Sequence, residues 1–253
     1  MGFSRTYDQA PAQKARRGRG GEPAPPRIAI VVGMKSEARI ADAGPDLTII
    51  GGGSAAQVEA GLARVHRTAR GEGRPLHGVL SFGVAGALAP HLQPGDLLLP
   101  HAVHAGLKAY PCHAGWTSRL SRVLPQAHGG ALLGVDQPIL TPEHKRRLHK
   151  DHGAFAVDME SHGAARFANA YGLPFAVLRA VADPQRRAIP PAAMAGFRPD
   201  GSADVLAVLA ALARSPGQLG GLIRTAFDAR AGMTALLGSR RLLGGLFGFD
   251  DLV

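Results

Sequence analysis

The chain has 253 residues, of which 45% are apolar, and this is enough for a sizeable core in one large α/β domain or two small ones. A formal net charge of +10 fits a nucleic acid, an anionic membrane or only a basic tail, but aromatic residues make up just 5% and no RNA-binding motif is present, so we expect no nucleic-acid partner. The single Cys112 excludes an internal disulfide, and the eleven histidines lack metal-site spacing, so we expect no metal.

Residues 1–26 are rich in Ala, Arg, Gly and Pro and are predicted to form a disordered basic tail, because such a composition cannot bury a core. No apolar run is long enough to predict a membrane-spanning helix. The Arg-rich start is followed by Glu-Pro-Ala-Pro-Pro and not by the apolar segment of a secretory signal. We therefore expect a cytoplasmic protein.

The first predicted strand, residues 27–33, is a continuous apolar run typical of a strand buried on both faces of a parallel or mixed sheet. A second strand over residues 47–50 leads through three glycines, at 51–53, into a helix over residues 55–67. Glycines at such a turn let a backbone approach a ligand closely. They match neither a dinucleotide-binding nor an ATP-binding motif, so we expect no cofactor.

Three more strands are predicted in the next part of the chain. The first spans residues 78–81 and is expected to be broken by the stretch of small residues at 83–88. The second spans residues 97–103, and the third spans residues 131–134.

A short apolar entry precedes the segment Asp158-Met159-Glu160, and a helix is predicted directly after it, over residues 161–171. Residues 174–181 form the last predicted strand, which leads into Asp183, and residues 204–214 form a closing helix. This alternation of strands and helices predicts an α/β fold in one domain, residues 27–215.

Three carboxylates, those of Glu37, Glu160 and Asp183, follow separate predicted strands. Ligands of open α/β sheets bind at this edge, where strand ends converge. Such a set suits cleavage of an N-ribosidic bond: Asp183 as the general acid for purine N7, Glu37 to activate water, and Glu160 to bind the ribose hydroxyls, with Met159 packed on the sugar. Taken alone, Glu160 is equally well explained as a carboxylate that complements a helix N-terminus.

Five segments of the chain together carry a family resemblance: Gly33-Met-Lys-Ser-Glu37, Ser81-Phe-Gly-Val-Ala-Gly-Ala-Leu88, Pro94-Gly-Asp96, Ala156-Val-Asp-Met-Glu160 and Arg179-Ala-Val-Ala-Asp183. Their order and rough spacing resemble the purine nucleoside phosphorylase/nucleosidase superfamily, and most of all its 5′-methylthioadenosine/S-adenosylhomocysteine nucleosidases. The resemblance implies an α/β/α fold with a central mixed sheet, usually in a homo-oligomer. It also implies substrate contacts at Met34, Gly83, Val84, Ala85, Pro138, Ile139, Met159 and Glu160.

The resemblance also bears on the nucleophile. Bacterial hexameric phosphorylases place a phosphate-binding Arg where this chain has Glu37, and they have further phosphate contacts where it has Ser81 and Val84. A carboxylate repels phosphate, so water is the expected nucleophile. Phosphorolysis remains an alternative because Arg186 and Arg187 could supply phosphate contacts, although surface arginines need no such role.

Three departures from the nucleosidases concern the substrate: a shorter segment between Glu37 and Gly51, Pro138 in place of a Phe that stacks on adenine, and Ala182 in place of a Ser. The shorter segment, the amphipathic C-terminal tail and the sequence Pro184-Gln-Arg-Arg187 after Asp183 together resemble the hopanoid-associated phosphorylase branch. This resemblance implies adenosylhopane as the substrate, a nucleoside with a lipid at its 5′ end. A soluble 5′-methylthioadenosine/S-adenosylhomocysteine nucleosidase remains an alternative. A nucleoside-binding sensor would predict loss of Glu37 or Asp183, and both are present.

Residues 216–253 are predicted to form an amphipathic C-terminal tail, in which Leu219, Leu222, Ile223 and Phe227 share one helical face. An apolar tail with arginines fits a peripheral contact with the inner membrane. It equally fits a helix pair docked on the domain or on a second subunit, and both interpretations remain open.

Overall fold

The computed structural model describes residues 25–41, 46–51, 54–196 and 204–252. The basic tail expected over residues 1–26 therefore lies almost entirely outside the described residues, and so does part of the glycine-rich turn after the second strand.

The described part of the chain forms nine strands and eight helices. The strands are β1 Ile28–Val32, β2 Leu47–Gly51, β3 Gly78–Ala87, β4 Leu97–Leu98, β5 Ala102–Ala105, β6 Lys108–Pro111, β7 Ala131–Gly134, β8 Ala156–Asp158 and β9 Phe175–Asp183. The helices are α1 Lys35–Ala41, α2 Ala55–Gly71, α3 Ala114–Val123, α4 Pro142–His152, α5 Ser161–Tyr171, α6 Pro191–Met194, α7 Val205–Arg214 and α8 Leu219–Leu242. Two 3₁₀ turns, Pro216–Gln218 and Asp250–Leu252, complete the structure.

The strands form one mixed sheet, which confirms the predicted fold class. Its main order is β2-β1-β3-β8-β7-β5-β6, while β9 pairs with β3 and β4 pairs with β9. Strand β3 is the centre of the sheet, since it pairs in parallel with β1 and β9 and antiparallel with β8. One edge of β3 is therefore shared by β1 and β8, and its other edge pairs with β9.

Helices cover both faces of the sheet, as the alternating side chains of β1 illustrate. Ala29 and Val31 face a core formed with α2 and α5, whereas Ile28, Ile30 and Val32 face a second core. That second core includes Trp116 of α3 and several C-terminal residues: Leu236, Leu243, Leu246, Phe247 and Phe249. The second half of the segment 216–253 is therefore part of the packed domain, while its first half is more exposed.

Two strand predictions are wrong in detail. Strand β3 does not end at Gly83 but continues to Ala87, because residues 83–85 stay extended and pair with β9. The predicted strand over residues 97–103 is two strands, of which β4 pairs with β9 and β5 pairs with β6 and β7. Pro100 lies between them and has no N–H to donate to a ladder.

No single helix in the described ranges is long and apolar enough to cross a membrane. Residues 205–214 and 216–242 together reach that length and apolarity, but the two helices are bent by 118° relative to each other.

Candidate active site

The topology of the sheet brings three chain segments together beside residues 82–85 of β3. Strand β1 pairs with β3 as far as Ser81, and the antiparallel β8 pairs with it from Gly86 onward. Because β1 and β8 run in opposite directions, the loops that follow them meet in the gap between these pairings. Strand β9 lies on the other side of β3, with Arg179 opposite Gly83 and Asp183 opposite Gly86.

Glu37 is 2% exposed and is held by backbone donors. Its Oε2 accepts hydrogen bonds from the N–H groups of Gly33 and Met34, both at 2.8 Å, as a carboxylate in the first turn of a helix commonly does. Its Oε1 accepts one from Val84 N at 2.8 Å. A carboxylate offers about four acceptor positions, so these bonds leave roughly one free. Burial raises the pKa of Glu37, although Arg179 and the three hydrogen bonds oppose the rise.

Arg179 is fully buried at the centre of the site. Its Nη2 lies 2.5 Å from Asp158 Oδ2 and 3.5 Å from Glu160 Oε2, and it donates to the hydroxyls of Ser81 and Ser161. Among the described residues its Nε has no hydrogen-bond partner. Neither Arg179 nor Asp158 was predicted as a site residue, although an Arg inside an apolar strand indicates a buried ion pair.

Glu160 follows β8 and occupies the N-cap position of α5, where its side chain makes no capping hydrogen bond. Burial, together with the neighbouring charges of Asp158 and Glu37, raises its pKa to about 8, and Arg179 only partly offsets this. Three carboxylates thus surround one guanidinium, and one bound proton relieves the excess negative charge. Gly33 makes this packing possible, since a Cβ there would lie 2.7 Å from Glu160 Oε1.

Asp183 stands at the end of β9, apart from the guanidinium. Its Oδ2 forms a very short ion pair with the ammonium of Lys145, which is fully buried. Burial raises the pKa of Asp183, Lys145 opposes the rise, and the charge of Asp228 adds to it. Both carboxylate oxygens would lie 3.2 Å from a Cβ at Gly86, so Asp183 packs directly against β3.

The remaining predicted residues lie around this arrangement. Met34 and Met159, in the two loops beside β3, are half-buried, as is Val84, while Gly83 and Ala85 are buried. Ile139 is buried against Leu88, Leu133, Ala154 and Val157, and Pro138 is half-buried just before it. The structure thus brings Met34, Glu37, Gly83, Val84 and Glu160 together and places Asp183 about 10 Å further along β3, from Gly83 to Gly86.

The arrangement combines two different carboxylate environments along β3. One end carries the hydrogen-bonded carboxylate of Glu37, the guanidinium of Arg179 and the carboxyl group of Glu160, which can hold a proton. The other end carries the carboxylate of Asp183, paired with the ammonium of Lys145.

No group of three potential ligand side chains that could hold a metal occurs in the ranges that the structure describes. A shallow cleft of about 610 Å³ lies elsewhere, beside α8, lined in part by Asp96, Phe227 and Arg230.

Comparison with known proteins agrees with the fold. A model of the phosphorylase superfamily matches residues 50–214, which is more than half of the chain. A 5′-methylthioadenosine/S-adenosylhomocysteine nucleosidase from S. pneumoniae has a similar fold, with a TM-score of 0.58 and 14% identity, over 86% of this chain and 99% of that one. A futalosine hydrolase of Helicobacter pylori is similar at a TM-score of 0.55 and 17% identity, over 85% of this chain and 97% of that one. No curated protein matches the chain.

Proposed function

Because the chain belongs to the phosphorylase superfamily, we propose that it hydrolyses the N-ribosidic bond of adenosylhopane and releases adenine and ribosylhopane. The choice of water as the nucleophile rests on the position of Glu37. Its carboxylate fills a cradle of three backbone N–H groups beside Arg179, where a phosphate would otherwise find its donors.

Each carboxylate has one role in the reaction. The ribose lies at the Glu160 end, where that carboxyl group binds its hydroxyls and Met159 covers its apolar face. Glu37 takes a proton from water through its remaining acceptor position, and the water oxygen bonds to C1′ as the bond from C1′ to the purine breaks. Asp183 gives its proton to purine N7, so that adenine leaves as a neutral molecule.

The charges of the site favour water over phosphate. An entering phosphate dianion would face Glu37, Glu160 and Asp158, which together stay negatively charged even with one proton bound among them, and Arg179 is the cation that these three acids share. Like charges at this range repel strongly in a buried site. The alternative phosphate contacts are also engaged. Arg187 is paired with Asp228 of α8, and Arg186 donates to the side chain of Gln93.

The substrate proposal draws on the surface of α7 and the first half of α8, which we call the α7–α8 surface. It exposes six large apolar side chains: Val205, Leu206, Leu209, Leu219, Ile223 and Phe227. Helix α7 buries no residue at all, although nine of its ten residues are Val, Leu or Ala and only one is Arg.

The charge of the α7–α8 surface complements an anionic bilayer. Residues 205–242 contain five arginines, and Arg214, Arg224 and Arg230 are exposed. The single carboxylate in this range, Asp228, is buried and paired with Arg187. Apolar side chains flanked by arginines suit a helix that lies in the membrane interface. Docking there would bring the enzyme to a nucleoside whose 5′ end is a lipid, and the shorter sequence between Glu37 and Gly51 suits a bulky substituent at that end.

The decisive experiment measures adenine release from adenosylhopane with and without phosphate, followed by mass analysis of the sugar product. We expect release without phosphate and free ribosylhopane as the product. A strict requirement for phosphate, with a phosphorylated sugar, would replace hydrolysis by phosphorolysis. Release only from 5′-methylthioadenosine or S-adenosylhomocysteine would refute the lipid substrate.

The membrane contact has its own test. Pelleting with phosphatidylglycerol vesicles should be weakened by the double substitution Ile223→Ser and Phe227→Ser. The matched control is Leu107→Ser, which changes an exposed leucine far along the chain and should pellet like the wild type. Equal pelleting of all three proteins would remove this support for a lipid substrate. Loss of an oligomer in gel filtration, with unchanged pelleting, would assign the surface to a second copy of the chain.

A further inference from the structure

Lys145 is a buried cation on an otherwise solvent-facing helix. Helix α4 begins after Thr141, whose hydroxyl accepts a hydrogen bond from His144 N, and its residues Arg146, Arg147 and Lys150 are exposed. Lys145 itself has no exposed surface. A buried ammonium is costly unless it is paired and each of its N–H groups is bonded.

All three N–H groups of Lys145 have an acceptor. One donates to Asp183 Oδ2, and the others donate to the backbone oxygens of Pro184 at 3.1 Å and of Arg187 at 3.2 Å. An ammonium has three donors, so the coordination is complete. One side chain therefore fixes both the carboxylate at the end of β9 and the loop that follows it.

Asp183 depends on this contact for its orientation. The preceding residue is Ala182, which has no side-chain donor, and Lys145 provides the one hydrogen bond that the side chain of Asp183 receives from described residues. Since the bond is made to Oδ2, Oδ1 stays available to a ligand. We infer that Lys145 is a positioning residue for the acid of the reaction: it holds Asp183 with Oδ1 directed at the leaving base. This inference rests on the function proposed above.

Lys145 also sets how readily Asp183 gives up its proton. The charged groups that face Asp183 are Lys145 on α4 and Asp228 on α8, the latter paired with Arg187. Burial raises the pKa of Asp183, and the ammonium holds it lower than burial alone would. Removing the cation therefore makes Asp183 a weaker acid, and the high-pH limb of the rate profile, where Asp183 loses its proton, moves to higher pH.

The test compares Lys145→Met with Lys150→Met, the same change on the exposed face of the same helix. Adenine release is measured across the pH range, with kcat and KM determined separately. We expect Lys145→Met to lower kcat by at least about tenfold, since a general acid contributes about 10²–10⁴-fold, with KM little changed and the high-pH limb moved upward. Lys150→Met should match the wild type. The inference would be overturned if Lys145→Met had the wild-type kcat. It would also be overturned if kcat fell while the high-pH limb of the rate profile stayed in place.

Two further variants keep the test valid if Lys145→Met does not fold. Lys145→Gln is neutral but can still donate a hydrogen bond, and it should show the same upward shift of the limb. Lys145→Arg keeps the positive charge, and the high-pH limb of its rate profile should stay at the wild-type position. A Gln variant with the wild-type limb, or an Arg variant whose limb moves as far as that of Gln, would contradict the proposed role of the charge.

Thermal unfolding separates this inference from the proposed function. Asp183→Asn should lower the melting temperature in the wild type but not in the Lys145→Met background, because the ammonium is then already absent. If the two changes couple in this way but the wild type releases no adenine, the ion pair stands and the proposed function fails. If the wild type releases adenine and the two changes are additive, the function stands and the inference fails.

Discussion

Replacement of Glu160 by Gln tests whether the carboxylates around Arg179 hold a proton. The pKa of Glu160 is raised from 4.5 to about 8, first by burial and then by Asp158 and Glu37. A carboxyl group whose pKa is raised in the folded state favours folding below its unfolded pKa, and this contribution is lost as the pH rises through the folded value. The stability that protonated Glu160 contributes is therefore lost between about pH 4.5 and about pH 8.

The size of the effect follows from the width of that window. One pKa unit corresponds to about 1.4 kcal/mol, so ionisation of Glu160 costs the folded protein about 5 kcal/mol once the pH exceeds about 8. Gln has no proton to lose and does not pay this cost. The free energy of unfolding of Glu160→Gln relative to the wild type should thus rise by about 4 kcal/mol between about pH 5 and about pH 9.

The assay is urea unfolding of both proteins at a series of pH values, with Glu143→Gln as the control. Glu143 lies on the surface, with a side chain 76% exposed, and its variant should follow the wild type at every pH. Parallel curves for Glu160→Gln and the wild type would refute the reasoning. They would show that the buried proton resides on another group, and the same experiment with Glu37→Gln would then identify it.

Three other substitutions test the proposed roles. Glu37→Gln should lower adenine release at least about a hundredfold, because an amide cannot take a proton from water, and a near wild-type rate would assign the base elsewhere. Asp183→Asn should abolish release, and at a pH where Asp183 is ionised it should also cost about 3–5 kcal/mol of unfolding free energy, because Lys145 then keeps its charge without a carboxylate; a melting temperature equal to that of the wild type in calorimetry would contradict the ion pair. Gly33→Ala would place a Cβ 2.7 Å from Glu160 Oε1 and should raise KM, and an unchanged KM would place the sugar away from Glu160.

Much of the sheet was predictable because its strands are continuous apolar runs. Strand β7 and helix α5 have the bounds expected from the sequence, and β1 differs by one residue at each end. Helix α4 could not be found in the same way. Its sequence is Pro-Glu-His-Lys-Arg-Arg-Leu-His-Lys-Asp-His, and the residue that it buries is a lysine, so hydrophobic periodicity gives no signal.

The site was predictable in its carboxylates but not in its cations. Glu37, Glu160 and Asp183 each follow a strand, and strand ends converge whatever the details of the sheet. Arg179 and Lys145 are identified as site residues only by the carboxylates that the structure places against them. A charge is buried when another charge faces it, and the pairs Arg179–Asp158 and Lys145–Asp183 join residues from different elements of the chain. The position of Arg179 inside an apolar strand indicates a buried ion pair, but no local pattern identifies the partner.

The two ends of the site must hold opposite protonation states for the proposed reaction, since Glu37 has to accept a proton while Asp183 donates one. Burial raises the pKa of both, so burial alone cannot distinguish them. The difference lies in the hydrogen bonds. Glu37 accepts three backbone N–H bonds beside a guanidinium, all of which stabilise the ionised form, whereas Asp183 receives one bond from Lys145. The proposed roles require Glu37 to ionise at the lower pH, and the rate profile should then be bell-shaped. Glu37→Gln should remove the low-pH limb, and Lys145→Met should move the high-pH limb alone.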